Sequence, residues 1–199
     1  MKSSVSNPDL SRESQLSYMM HGRREVARFA YCDADKNLLG YVVRLEDKDG
    51  TKITPTLTYC RSDKGVEAWR FQGFADGRPL YGLDHLKQNP TAPVLVVEGE
   101  KTAEAARDIF KDHVVVTWPG GCGAVHKADW SPLQNRTVTL FPDHDKPGLN
   151  AALKIAEILQ TNGRQTVDKH HVIDIQMHGH SYAPGGTLFD KMSPQSLFS

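Results

Sequence analysis

Two short runs of aliphatic and β-branched residues, each ending in acids, constrain the fold of this chain most: Val94-Leu95-Val96-Val97-Glu98-Gly99 and Thr137-Val138-Thr139-Leu140-Phe141-Pro142-Asp143-His144-Asp145. Bounded by turn residues, each reads as a buried strand that delivers carboxylates where it stops. Helical patterns lie between and after them. Thr102 to Phe110 carries Ala103, Ala106 and Phe110 on one face, and Pro147 to Gln160 carries Ala151, Ala152, Ile155, Ile158 and Leu159. Val114 to Thr117 and Val172 to Ile175 add two more strand-like runs. Strands alternating with helices predict a parallel sheet of about four strands with helices on its faces. Ligands of such sheets bind outside the carboxyl ends of the strands, so Glu98, Asp143 and Asp145 converge on one rim if their strands are neighbours. Carboxylates crowded together repel unless a cation sits among them, and hard oxygen ligands suit Mg²⁺ or Mn²⁺, hence phosphate chemistry.

Upstream the pattern changes from helical period to alternation. Ala27 to Tyr31 and Gly40 to Leu45 flank the turn residues Asp33 to Asn37, Asp47 to Gly50 leads into Thr51 to Tyr59, and Glu67 to Phe71 adds another strand. These are hairpin signals, so a small antiparallel β module is expected, which together with its connector spans residues 26–90. The prolines of Asn89-Pro90-Thr91-Ala92-Pro93 mark the boundary, and residues 91–177 form the α/β domain. Residues 1–25 read as a polar lead-in and 178–199 as an unstructured tail.

Lys plus Arg and Asp plus Glu are 24 each, so overall charge offers no argument for nucleic acid or membrane, and any basic surface is local. Cys32, Cys60 and Cys122 form no Cys-x-x-Cys pair, which speaks against a zinc ribbon or a disulfide framework. No apolar run is long enough for a membrane helix, and a soluble cytoplasmic protein is the expectation.

Glu98-Gly99 at one strand end, Asp143-x-Asp145 at a later one and Gly148 opening the next helix resemble the Toprim domain of bacterial-type primases, topoisomerases and certain nucleases. The wider wording is similar to the Toprim part of primase and primase-helicase proteins of phages, prophages and plasmids. It comprises Arg78-Pro79-Leu80-Tyr81-Gly82-Leu83, Val97 to Ala103, Pro119-Gly120-Gly121, Asp129-Trp130-Ser131-Pro132-Leu133 and Pro142 to Asp145. The resemblance covers roughly residues 78 to 175, and Ala27 to Phe71 resembles the β region that precedes Toprim in those proteins.

The resemblance implies that Asp143 and Asp145 bind divalent metal and that Glu98 joins them or acts as general acid or base. It implies metal-dependent, primase-like nucleotidyl transfer on single-stranded DNA with nucleoside triphosphates, in replication of a mobile element. A Toprim nuclease, or a non-catalytic DNA-binding accessory fragment, are the alternatives. The sequence departs from complete primases in having neither clustered cysteines nor a P-loop, so a separate helicase or zinc-binding primase component is an expected partner. Lys101, Lys127, Arg136 and Lys146 are the candidate phosphate contacts, against the alternative of ordinary surface bases. Tyr41, Trp69 and Phe71 are either a stacking platform or the core of the β module. The Pro119 to Gly123 loop lets backbone pass close to the rim, and Cys122 reads as an inert thiol. His170, His171, His178 and His180 lack the spacing of a zinc site.

Overall fold

The computed structural model describes residues 22–75, 77–163 and 173–175; the expected tail, most of the lead-in and the four histidines from His170 onward lie outside them. The chain divides into two compact units, Met1–Ala75 and Asp76–Ser199.

The first unit is an antiparallel sheet of β1 (Arg24–Cys32), β2 (Leu38–Glu46), β3 (Lys52–Ile53), β4 (Thr56–Arg61) and β5 (Glu67–Phe71). Its order is β1-β2-β4-β5, with β3 also pairing β2. The expected strand over Thr51 to Tyr59 is broken in two. Pro55 has no N–H to give a ladder, and its carbonyl instead accepts from the Val43 N–H at 2.9 Å. Tyr41 and Trp69, both 7% exposed, pack with Val43, Leu45 and Leu57, and their rings lie 5.4 Å apart. These two aromatics are core.

The second unit is built on a parallel sheet. β6 (Val94–Val97) lies between β7 (Val114–Val116) and β8 (Val138–Phe141), and the backbone of β9 (Ile173–Ile175) pairs with β8. Alternation along β6, β7 and β8 divides their side chains between two faces. Val94, Val96, Val114, Val116, Val138 and Leu140 pack with Ala151, Ala152, Ile155 and Leu159 of α3 (Lys146–Gly163). On the other face α2 (Glu100–Ile109) packs against β6 and β7, and Phe110 just beyond it meets Phe141 at 6.4 Å. The all-apolar runs of β6 and β7 are what two covered faces require.

The connector belongs to this unit. Leu80, fully buried, and Leu86 of α1 (Leu83–Gln88) sit in the same core, and the Tyr81 N–H donates to the Thr117 carbonyl at 2.8 Å. Apolar residues in Arg78 to Gln88 therefore place the division near Ala75 rather than at the prolines around residue 90. Arg136 straps the connector down: its guanidinium donates to the carbonyls of Leu86 (3.3 Å), Asn89 (2.6 Å) and Ala92 (2.9 Å). Arg136→Met removes these donors and is expected to destabilise the protein by about 1–3 kcal/mol. A urea melt with an unchanged midpoint would show the strap to be dispensable.

Candidate functional site

Strand order decides where the acids meet. From β6 the chain steps to β7 on one side, then crosses to β8 on the other, so the sheet's switch point falls between β6 and β8. These two strands pair in parallel with Val97 opposite Phe141. Glu98 and Asp143 thus leave adjacent strands at the same end. Burial pushes the carboxyls of Glu98 and Asp143 above their ordinary range, and neighbouring acids add to it: Asp143 and Asp145 act on Glu98, and Asp145 acts on Asp143. The three acids are close enough to feel one another's charge.

Asp145 has a second job. Its Oδ1 accepts the Gly148 N–H at 2.7 Å while its carbonyl accepts the Leu149 N–H at 3.0 Å, the geometry of an N-cap for α3. The turn from strand to helix is closed by the Asp145 N–H on the Asp143 carbonyl at 2.8 Å. A cap residue must stand outside helical geometry, which is why an acid two positions after Asp143 still reaches the same rim.

The third side of the site comes from the end of β7. Thr117, fully buried, accepts the Gly99 N–H on Oγ1 at 3.0 Å and so ties the β6 exit to its neighbour. Beyond it the loop is pinned by two indoles, Trp118 Nε1 donating to the Gly121 carbonyl at 2.8 Å and Trp130 Nε1 to the Val125 carbonyl at 2.9 Å. This brings Cys122 to Glu98, with the thiol donating to Oε2 at 2.9 Å. Burial and the glutamate push that thiol up to about 12, so it stays a protonated donor, not a nucleophile. The pairing was invisible in sequence, where Cys122 has no neighbouring base; the only signal was its position in a loop leaving a strand beside that of Glu98.

The other oxygen, Glu98 Oε1, is buried without a well-aligned hydrogen-bond donor, although the nearby Asp143 backbone N–H favours the charged carboxylate. An apolar recess lined by Val96, Val97, Trp118, Leu140, Phe141 and Ile155 adjoins the same glutamate, which accounts for its desolvation. Among the described residues no three His, Cys, Asp or Glu side chains form a closed metal-ligating cluster. Mg²⁺ does not demand one, since it keeps several waters and uses one or two carboxylates with substrate phosphates. An orphaned buried oxygen, mutually repelling acids and a hard-oxygen donor set fit such a cation.

The candidate bases are not brought together. Lys101 in the first turn of α2, Lys127 in the loop region and Lys146 opening α3 are exposed, and each lies at or after a strand's carboxyl end. Arg136 instead precedes β8, at the opposite end from Asp143, and its guanidinium is engaged with backbone carbonyls. It is removed from the proposed phosphate contacts.

A mixed α/β architecture of one parallel and one antiparallel sheet is shared with primase catalytic cores. The chain is similar to the E. coli primase catalytic core, with 20% identity and a TM-score of 0.52 over 85% of this chain and 53% of that one. It is also similar to the Aquifex aeolicus primase structure comprising zinc-binding and RNA polymerase domains, with 18% identity and a TM-score of 0.52 over 87% of this chain and 41% of that one. A DnaG primase catalytic domain bound to ssDNA gives 21% identity and a TM-score of 0.50 over 79% of this chain and 46% of that one. At such identities the likeness is one of fold, and the chain spans about half the length of the solved structures it matches. The chain belongs to the family described as Domain of unknown function (DUF6371), whose model matches residues 17–144. No curated protein matches it.

The raised carboxyls carry a stability prediction. A carboxyl that titrates higher folded than unfolded favours the fold below the unfolded value, near pH 4, and that contribution is lost as pH rises through the folded value. At neutral pH without metal, Glu98→Gln is therefore expected to raise the melting temperature by a few degrees, at roughly 2–4 °C per kcal/mol. The difference should vanish near pH 4. Calorimetry in chelator at both pH values checks this, and a variant less stable at neutral pH would contradict it.

Gly148 allows the close approach of α3. A Cβ there would lie 2.6 Å from the Asp143 carbonyl oxygen, a backbone atom that cannot swing away, and 2.8 Å from Glu98 Oε1, the tip of a side chain held through its other oxygen by Cys122. Gly148→Ala gains up to about 1 kcal/mol of helix propensity but has to displace the helix start, at about 1–3 kcal/mol. Net destabilisation is expected, with weaker Mn²⁺ binding in a calorimetric titration. An alanine variant as stable as wild type would show that the turn relaxes.

Proposed function

We propose that this chain is a Toprim protein carrying out metal-dependent, primase-like nucleotidyl transfer in the DNA replication of a mobile element. The observation that carries the reading is the parallel pairing of β6 with β8, which sets Glu98 and Asp143 side by side at the switch point of the sheet. Asp143 and Asp145 are the residues that would hold Mg²⁺ or Mn²⁺, with Glu98 either joining them or acting as general base. When bound, the cation supplies charge for the phosphate oxygens gathered at the reacting phosphorus.

The chain's own residues supply the rest. Glu98, its carboxyl raised by burial, is poised to accept the proton of an attacking hydroxyl at Oε1, while the Cys122 thiol holds Oε2 in one orientation. Asp145 fixes the start of α3, and Gly148 keeps space for the glutamate. The two tryptophan-anchored turns keep the third wall of the site in place.

Single-stranded DNA and nucleoside triphosphates are the proposed substrates, with a separate helicase or zinc-binding component as partner. Likeness to primase catalytic cores over both units supports this assignment of the fold to primase chemistry. Among the described residues no helix is long and apolar enough to cross a membrane.

Purified protein with Mn²⁺ or Mg²⁺, a single-stranded template and labelled nucleoside triphosphates tests the proposal. Extension is expected. Degradation of the strand would replace transfer by hydrolysis, and binding alone would reduce the chain to an accessory module. Asp143→Ala with Asp145→Asn, which keeps a capping side chain, is expected to abolish the calorimetric Mn²⁺ signal and to lower the extension rate at least ~10²-fold. Unchanged Mn²⁺ affinity in a folded double variant would defeat the site.

A further inference from the structure

Three acids at the rim repel a polyphosphate, so the nucleotide needs a cation of the protein's own, and Arg136 is spent at the other end of the sheet. The structure supplies a different arginine. The Arg78 N–H donates to the Lys127 carbonyl at 2.8 Å, its carbonyl accepts the Asp129 N–H at 2.8 Å, and the residue bridges Ala128 in parallel register. Three residues on, Tyr81 is fixed by its N–H to Thr117, by its hydroxyl to Glu104, and by the Arg107 guanidinium 4.7 Å from its ring centre. The segment Arg78 to Tyr81 is therefore rigid and runs beside the carboxyl end of β7.

From that segment the Arg78 side chain reaches the loop of Cys122. Its Nη1 lies 2.9 Å from the point a Cβ on Gly120 would occupy, so the guanidinium rests directly on a backbone with no side chain in the way. Gly120 has φ of +97°, which also excludes ordinary side chains. Two residues later Cys122 touches Glu98. Among the described residues the Arg78 guanidinium has no hydrogen-bond or ion-pair partner, and it is half-buried. A planar fork of donors, held on a rigid segment against the loop that leads to Cys122 and so toward the acids, and bound to no carboxylate among the described residues, is suited to phosphate.

We infer that Arg78 binds a phosphate group of the nucleotide at the Glu98–Asp143 rim, with the bare backbone of Gly120 as the surface on which its guanidinium is oriented. The inference rests on the nucleotidyl-transfer reading for the presence of a nucleotide. Phosphate oxygens come from two sources, the nucleoside triphosphate or the strand, and the geometry serves either. Neighbouring Lys127, joined to Arg78 through the backbone, extends the positive edge.

Calorimetric titration of the full chain with ATP and Ca²⁺, and separately with an oligo(dT) strand lacking terminal phosphates, tests this. Wild type is compared with Arg78→Gln, Arg78→Lys and, as a control distant from the rim, Lys154→Ala, each shown folded by circular dichroism. Arg78→Gln is expected to weaken ATP at least ~10-fold, with Arg78→Lys in between because it keeps the charge and loses the fork. If ATP binding is unaffected and strand binding falls instead, the phosphate comes from the strand and the assignment of Arg78 stands. Wild-type and Arg78→Gln proteins that bind both ligands alike would overturn the inference while leaving the proposed function in place. Wild type that binds neither ligand would remove both.

Discussion

Everything in the second unit depends on the hydrogen-bonded pairing of β6 with β8 in parallel. Parallel strands cannot be joined by a hairpin, so the chain between them has to travel over the sheet and back, and here it also lays down β7 on the far side of β6. That excursion makes β6 central. A central strand is buried on both faces and flanked on both edges, so its last residue projects into the only ground left, the end of the sheet. Glu98 occupies that position, with Asp143 arriving from one neighbouring strand and Cys122 from beyond the other.

The elements were legible where the signal is local. Val94–Val97 is apolar at every position and Val138–Phe141 at all but Thr139, and such runs have few folded states open to them besides a strand covered on both sides. The helix of α3 announced itself by its 3.6-residue stripe and by proline in its first turn. The convergence of Glu98 and Asp143 was legible only conditionally, since a sequence does not say which strands are neighbours; strand order answers that.

What escaped the sequence is long-range and side-chain specific. Cys122 and Glu98 are 24 positions apart, and nothing in either neighbourhood names the other. Arg136 looked like a basic residue near an acidic motif, yet the direction of β8 puts it at the wrong end, and three carbonyls from a connector more than forty residues earlier claim it. The prolines near residue 90 marked a turn correctly and a domain boundary incorrectly, because Leu80 and Leu86 upstream of them complete the core of the unit that follows. Pro55, by contrast, acted locally and split a strand that alternation alone had drawn as continuous.

The cap made by Asp145 separates the fates of the three acids under mutational drift. Asp145 stabilises the start of α3 whether or not any ligand ever arrives, so a lineage that abandoned the chemistry would still have reason to keep it. Glu98 and Asp143 are the reverse case: as half-buried, mutually repelling charges they weaken the fold, and an idle chain would gain by exchanging them. Within this family, loss of the proposed transfer activity would therefore register first at positions 98 and 143, and an intact aspartate at 145 beside altered partners would mark a chain kept for its fold alone.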